Sequence, residues 1–281
     1  MTSGYQSSIE IESLDYSKFV SLINERNRCS GGIRTIQEAT LQSRLTEKSK
    51  VLEIGSNTGF TSVNIGLLVN CNVVGIDINN CSIKNARDLA KKNGLENKVR
   101  FKQQDAIHLG FPDQHFDMVW ASNVTSFIED KEKSIREYLR VLKTNGTLCI
   151  VPIYYKKTPP IKLVDKVSQA INARLEVFYK DDWKSLFERT SRKFGFNTVL
   201  YYEKDFCYID VSDKIEEFIQ KTLESPNIKK MSKITIRAIE NRARYFYNLF
   251  NENLKYCGFS ILLYQKRLDH DESELFLTKD S

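Results

Sequence analysis

Short apolar runs and amphipathic segments alternate between residues 50 and 153, and this alternation limits the chain's possible folds more than any other feature. The runs KVLEI (50–54), VVGIDI (73–78), VRFKQ (99–103), FDMVWA (116–121) and TLCIVPI (147–153) are rich in β-branched and apolar residues. Helical patterns lie between them over 61–69, 81–92 and 131–142. In the second, CSIKNARDLAKKNG, the apolar residues Ile83, Ala86, Leu89 and Ala90 recur with the helical period, and Asn93-Gly94 follows as a C-cap. The third, KEKSIREYLRVLKTNG, repeats the design with Ile135, Tyr138 or Leu139, and Leu142, ending at Asn145-Gly146. Strand–helix–strand alternation with short turns builds βαβ units and so a parallel sheet. Strands buried on both faces read as nearly continuous apolar runs, as VLEI, VVGI and LCIV do.

The flanks are more helical. Before residue 45, RNRCSGGIRTIQEATLQSRL predicts a turn at Gly31-Gly32 that opens a helix with Ile33, Ile36 and Leu41 on one side. Residues 156–180 hold Pro159-Pro160 and an amphipathic stretch. DDWKSLFERTSRKF (181–194) reads as a helix with Asp181 or Asp182 near its N-cap, ended by Gly195. TVLYYEKDFCYI (198–209) and GFSILLYQK (258–266) read as strands able to pair directly. Between them lie a helix over 212–224, stopped by Ser225-Pro226, and a second from about 231 to 255. The second carries Ile239, Ala243, Phe246, Phe250 and Leu254 on one face. A helical excursion between two pairing strands usually covers a site in α/β enzymes. The polar tail DHDESELFLTKDS is expected to fray. The expected organisation is a single domain over 1–281: a helical cap (1–44), a core (45–155), and helical lid segments at 156–180 and 212–256.

Composition narrows the function classes. The 41% of apolar residues suffice for a full core, and 28% charged residues are ordinary for a soluble protein. The start, MTSGYQSSIEIESLDY, lacks the basic end and apolar run of a secretory signal. No stretch approaches the roughly 20 apolar residues that span a bilayer, so a cytoplasmic location is expected. Six scattered cysteines (29, 71, 81, 149, 207 and 257) form no C-x-x-C pair, and Cys71, Cys149 and Cys207 lie in or beside apolar segments, where a thiol acts as a small hydrophobe. The histidines at 108, 115 and 270 are too dispersed for a helix-borne ligand pair, and no metal is expected. A net charge of +6 is mild for a nucleic-acid binder.

Residues 51–60, VLEIGSNTGF, carry the chemistry. A glycine turn after a buried strand, opening a helix, presents backbone N–H groups to a ligand. The dinucleotide pattern G-x-G-x-x-G would need glycine at 57 and 60, where Asn57 and Phe60 stand. The pattern is instead E-x-G-x-N-x-G, with Glu53, Gly55, Ser56, Asn57 and Gly59. It resembles motif I of the class I S-adenosylmethionine (SAM) methyltransferases, usually [DE]-x-G-x-G-x-G. Asp77 then ends the next strand, 22 residues after Gly55, where an acid can accept ribose hydroxyls. FDMVWASNV resembles family motif IV, and EKSIREYLRVLKTNGTLCIVPI resembles the helix–turn–strand that follows it. The resemblance covers about residues 48–153; beyond 160 it is architectural only.

It implies a Rossmann-like, doubly wound α/β fold with a seven-stranded, mostly parallel sheet and helical lid insertions. It also implies SAM as cofactor and S-adenosylhomocysteine (SAH) as product. Ile78 would lie against the adenine, Asp105 and Ala106 beside its amino group, and Ser122 and Asn123 near the methionine portion. Asparagine at 57 departs from the family glycine but tolerates positive φ better than other residues. Phe127 stands where many members carry histidine, so no catalytic base is carried over from that position. Tyr154, Tyr155 and His108 are candidates with bland alternatives: aromatic packing under a lid for the tyrosines, a surface turn for His108. The expected partner is a small organic acceptor methylated on oxygen or nitrogen. Two alternatives remain: an RNA or carrier-protein methyltransferase using Lys229, Lys230, Lys233, Arg237, Arg242 and Arg244, or an NAD(P)-dependent oxidoreductase on the same sheet. The SAM reading predicts that saturating SAH, and not NAD(P), raises the thermal unfolding midpoint; a shift with NAD(P) alone would reverse the assignment.

Overall fold

The computed structural model describes residues 8–25 and 29–268. The polar tail from Asp269 onward, with His270, lies outside them, as do the first seven residues and Arg26–Arg28. Helices α1 (Ser8–Ser13), α2 (Tyr16–Ile23) and α3 (Ile33–Gln42) precede the sheet. Then β1 (Lys50–Ile54), α4 (Phe60–Val69), β2 (Asn72–Asp77), α5 (Asn80–Lys92), β3 (Val99–Gln103), β4 (Phe116–Ser122), α6 (Lys131–Val141) and β5 (Leu142–Val151) form the alternating region. They are followed by β6 (Ile153–Tyr155), α7 (Ile161–Ile171), α8 (Lys180–Lys193), β7 (Asn197–Cys207), α9 (Ile215–Leu223), α10 (Lys233–Leu254) and β8 (Cys257–Arg267).

The sheet order is β3-β2-β1-β4-β5-β8, with β7 on the far side of β8 and β6 also paired to β8. Strands β1 to β5 are parallel and β8 runs antiparallel to its neighbours. The expected seven strands become eight because Pro152, which has no N–H to give, separates β5 from β6. Side chains alternate between the two faces. Leu52 and Ile54 join Ile135, Tyr138 and Leu139 of α6 and Trp183, Leu186 and Phe187 of α8. Val51, Met118 and Trp120 join Ile36 of α3, Val63 and Ile65 of α4, and Ile83 and Ala86 of α5. Burial on both faces is why the central strands β1 and β4 are mostly apolar, whereas the outer strands β3 and β7 alternate.

Helices α1, α2, α7, α9 and α10 build a third core of their own, around Ile11, Phe19, Leu163, Ile219, Ile239 and Phe246. These segments form an apolar cluster separate from the two sheet faces. Tyr155, Val164 and Cys257 form a smaller cluster that joins this helical layer to the sheet edge.

Several local expectations change. On α3, Ile36 is fully buried, whereas Ile33 is 41% and Leu41 74% exposed. The buried side of that helix is Thr35, Ile36, Ala39 and Thr40, with the Thr40 hydroxyl donating to the Ile36 carbonyl. Cys207 is exposed rather than packed and accepts a hydrogen bond from Lys156 Nζ at 2.9 Å, while Cys257 is buried. Helix α8 has Tyr179 as its N-cap; Asp182 sits three residues later and accepts from the Tyr179 N–H at 2.8 Å. Helix α6 ends at Val141, and Asn145-Gly146 lie inside β5 as an irregularity rather than in a separate turn.

That early strand entry is held by Lys266 of β8. Its Nζ donates to the carbonyls of Leu139 and Leu142, each at 2.8 Å, satisfying acceptors that a helix end leaves open. The residue is only 8% exposed. Replacing it by methionine keeps the stem and removes both donors. Lys266→Met is expected to lower the unfolding free energy by about 1–3 kcal/mol in urea titration; an unchanged midpoint would show that the two carbonyls find other donors.

Candidate active site

The turn after β1 leaves the sheet through Gly55, at φ +70°, and Gly59, at φ +87°. Both need the left-handed backbone that glycine adopts without penalty. A Cβ at Gly55 would also stand 2.5 Å from Val124 Cγ2, so neighbouring residues close over the turn. Asn57 takes φ 42°, the conformation asparagine tolerates best after glycine. The turn is tied sideways to β2. Ser56 N–H donates to the Ile76 carbonyl at 2.8 Å, and Asn57 N–H to Asp77 Oδ2 at 2.9 Å.

Asp77 ends β2 and its second oxygen accepts from Asn79 N–H at 2.8 Å. Burial holds its carboxyl above the ordinary value, opposed by backbone N–H bonds from Asn79 and Asn57. Each carboxylate oxygen has further acceptor capacity beyond its one backbone partner. Ile78 beside it is 71% exposed, an apolar side chain held at the surface. Asp105 is exposed and its Oδ1 accepts from Ile107 N–H at 3.1 Å. Ala106 is buried in the core on the α6 side. Ser122 ends β4, and Asn123 follows at φ 53° with its Oδ1 accepting from the Ser126 hydroxyl at 3.0 Å.

A cavity of about 650 Å³ opens at the carboxyl ends of these strands. Glu53, Gly55, Ser56, Asn57, Ser122 and Asn123 line it; Gly59, Asp77, Ile78, Asp105 and Ala106 do not. The predicted residues therefore fall into two groups, one on the cavity wall and one off it, with Asp77, Ile78, Asp105 and Ala106 along the ends of β2 and β3 and Gly59 at the start of α4. Among the described residues Ser56 Oγ and Asn57 Oδ1 are buried without a hydrogen-bond partner, as polar atoms kept for a ligand would be. Much of the rest of the wall comes from outside the alternating region, from the turn at 29–33, Glu176, Phe178, Trp183, Tyr208 and Asn253, and it is joined by Lys131 at the start of α6. None of these has a sequence signal beyond the Gly31-Gly32 pair and the aromatic content of the flanking segments.

The tyrosines are wall residues held by neighbours. Tyr155 donates its hydroxyl to Asn253 Oδ1 at 2.9 Å, linking the sheet edge to α10, and burial pushes its phenol up to about 12. Tyr154 accepts from the Ser260 hydroxyl at 3.0 Å. His108 is off the cavity, exposed and 2.8 Å from Lys133 Nζ. Phe127 lines the cavity at 45% exposure. Among the described residues no group of three or more His, Cys, Asp or Glu side chains could hold a metal ion. No helix among them is long and apolar enough to cross a membrane.

Glu53 is 4% exposed at the base of the cavity and accepts from Ser62 N–H at 2.9 Å and from the Ser62 hydroxyl. Burial pushes its carboxyl up to about 7, against hydrogen bonds from Ser62 and Thr61 that favour the charged form. The same carboxyl, with burial as the larger cause, raises the Cys29 thiol to about 12. An acid with a raised folded-state value stabilises below its unfolded value, and that contribution is lost as pH rises through the folded one. Glu53→Gln is therefore expected to remove roughly 2–3 kcal/mol of stability loss between about pH 4.5 and 7.5. Paired urea titrations across that range test this; parallel pH profiles would show that Glu53 titrates normally.

Residues 45–191 match the family described as a methyltransferase domain. An uncharacterized protein of Haemophilus influenzae is 27% identical over 183 residues, 64% of this chain and 71% of that protein. Methyltransferase GfsG of Streptomyces halstedii is 31% identical over 122 residues, 43% of this chain and 42% of that enzyme, so the match spans less than half of the curated enzyme. In structure, a SAM-dependent methyltransferase of Geobacter sulfurreducens in complex with SAH superposes with TM-score 0.63 at 14% identity, over 91% of this chain and 99% of that one.

Proposed function

This chain belongs to the methyltransferase-domain family and is a SAM-dependent methyltransferase, and on that premise we propose that it methylates an oxygen or nitrogen of a small organic acceptor. The observation that carries the acceptor class is the cavity of about 650 Å³ beside the glycine turn, with Phe127, Tyr154, Tyr155, Phe178 and Trp183 among its walls. Enclosed aromatic walls suit a small molecule rather than a polymer. The helical segments 1–44, 156–180 and 212–256 act as cap and lid over the 45–155 core in this proposal.

The residues present fit SAM. Asp77 would take the ribose hydroxyls, using acceptor capacity left beside its two backbone bonds. Ile78 would pack on the adenine, and Asp105 and Ala106 would lie at its edge. Gly55, Ser56, Asn57 and Gly59 would bring backbone and the unpartnered polar atoms of 56 and 57 against the cofactor. Ser122, Asn123 and Glu53 would border its amino-acid end. When bound, SAM supplies a sulfonium methyl already activated for transfer. The chain's own residues then have to align the acceptor with it and exclude water. The aromatic wall does both, and no side chain has to act as a strong base for a neutral amine acceptor. The buried phenols of Tyr154 and Tyr155 titrate above their ordinary value, which suits hydrogen bonding rather than proton abstraction.

The basic helix gives less support to a polyanionic acceptor than its composition suggests. Arg242 turns inward to donate to the Leu14 carbonyl and lies over the Phe246 ring at 4.4 Å. Arg244 pairs with Glu216 at 2.7 Å and Glu240 at 3.0 Å. Asp77→Ala is expected to weaken SAH binding by roughly ten- to a hundredfold in calorimetry while circular dichroism stays unchanged. Transfer of labelled methyl to phenols or amines should persist when Lys230 and Arg237 are both reversed to glutamate. Unaltered SAH affinity would remove Asp77 from the site, and activity on RNA abolished by the reversal would move the acceptor to that helix.

A further inference from the structure

Among the described residues, three on the cavity wall carry a formal charge: Glu53, Lys131 and Glu176. Glu53 sits under the glycine turn at the cofactor end. Lys131 is the first residue of α6, and its Nζ lies 2.9 Å from Glu176 Oε2 and 6.0 Å from the centre of the Phe178 ring. The two partners are unequal, with the lysine side chain 13% exposed and the glutamate side chain 42% exposed. A cation in the first turn of a helix gains nothing from the helix dipole, which favours acids there. Burying it that far costs free energy unless an anion stands beside it. The fold provides that anion from the irregular stretch between α7 and α8, just before Phe178, whose carbonyl accepts from Tyr155 N–H at 2.9 Å.

We propose that the acceptor carries an anionic group, a carboxylate, sulfonate or phosphate, which takes the place of Glu176 on Lys131 while its apolar body lies against the aromatic wall. The proposal rests on the methyl-transfer reading and specifies its substrate class. Glu176 can leave at little expense because it is already half in water, while Lys131 is held by the cavity. Glu176 is thus an internal competitor for the acceptor's charge. That role makes the two residues act in opposite directions on an anionic ligand, whereas a brace between α6 and the 172–179 stretch would make them act alike.

Fluorescence binding of 1-anilinonaphthalene-8-sulfonate, and of its uncharged counterpart N-phenyl-1-naphthylamine, tests this in the full chain with saturating SAH. The wild-type protein is expected to prefer the sulfonate. Lys131→Met should reduce sulfonate affinity by about tenfold with little effect on the neutral probe, and Lys131→Arg should restore it. Glu176→Gln should strengthen sulfonate binding several-fold. Weakening of the sulfonate by both Lys131→Met and Glu176→Gln, equal wild-type affinity for the two probes, or no entry of either probe would overturn the proposal. SAH affinity measured on the same samples separates the premises. Its absence in the wild-type protein defeats the cofactor assignment, whereas intact SAH binding with a charge-blind cavity defeats the anion proposal alone.

Discussion

One carboxylate fastens two turns at the carboxyl end of the sheet together. Asp77 accepts from Asn57 N–H with one oxygen and from Asn79 N–H with the other. The turn after β1 and the turn after β2 are therefore held in a common frame, on top of the strand ladder between them. Backbone groups in tight turns have few partners to choose from, and a half-buried acceptor that satisfies two of them sets where both loops lie. The exposed Ile78, the left-handed Asn57 and the orphan polar atoms at 56 and 57 all take their positions from that clamp.

The sheet was legible because its strands satisfy a double demand: apolar on both faces and ending in turn chemistry. β1 and β3 lie where the sequence puts them, β2 is displaced by one residue at each end, and β4 runs one residue longer. The α6–β5 junction was misread for a definite reason. Asn145-Gly146 has the chemistry of a turn, but Lys266, more than a hundred residues later, caps the helix early and lets the strand begin at Leu142. Local signals cannot contain a partner so distant. Ile33 and Leu41 went wrong differently, since α3 packs against α4 and β8 through small and β-branched residues and leaves the larger ones outside.

The motifs pointed to Glu53, Gly55, Ser56, Asn57, Ser122 and Asn123, which line one part of the cavity, but the remaining part was not legible. Its wall is assembled from the turn at 29–33, the start of α6, the stretch before α8 and the end of α10, which are remote in sequence. Aromatic content pointed to those segments as a group without ranking their members. Nothing local in the sequence marks Lys131 and Glu176, which are brought together at the cavity only by the fold.

Strand β8 lies inside the sheet, between β5 and β7, yet it is the last strand along the described residues. Until residues 257–267 are present, β5 has an open edge and the Leu139 and Leu142 carbonyls have no lysine to accept from. An unpaired apolar strand edge is a template for association with other chains. During synthesis, then, the alternating core can collapse but cannot complete its sheet, and the cavity wall at Tyr154 and Tyr155 cannot be finished either. The molecule acquires a sealed edge and a complete cavity wall in the same late step. Closing so long a loop is slow, and the intermediate before it is the state that chaperones would meet.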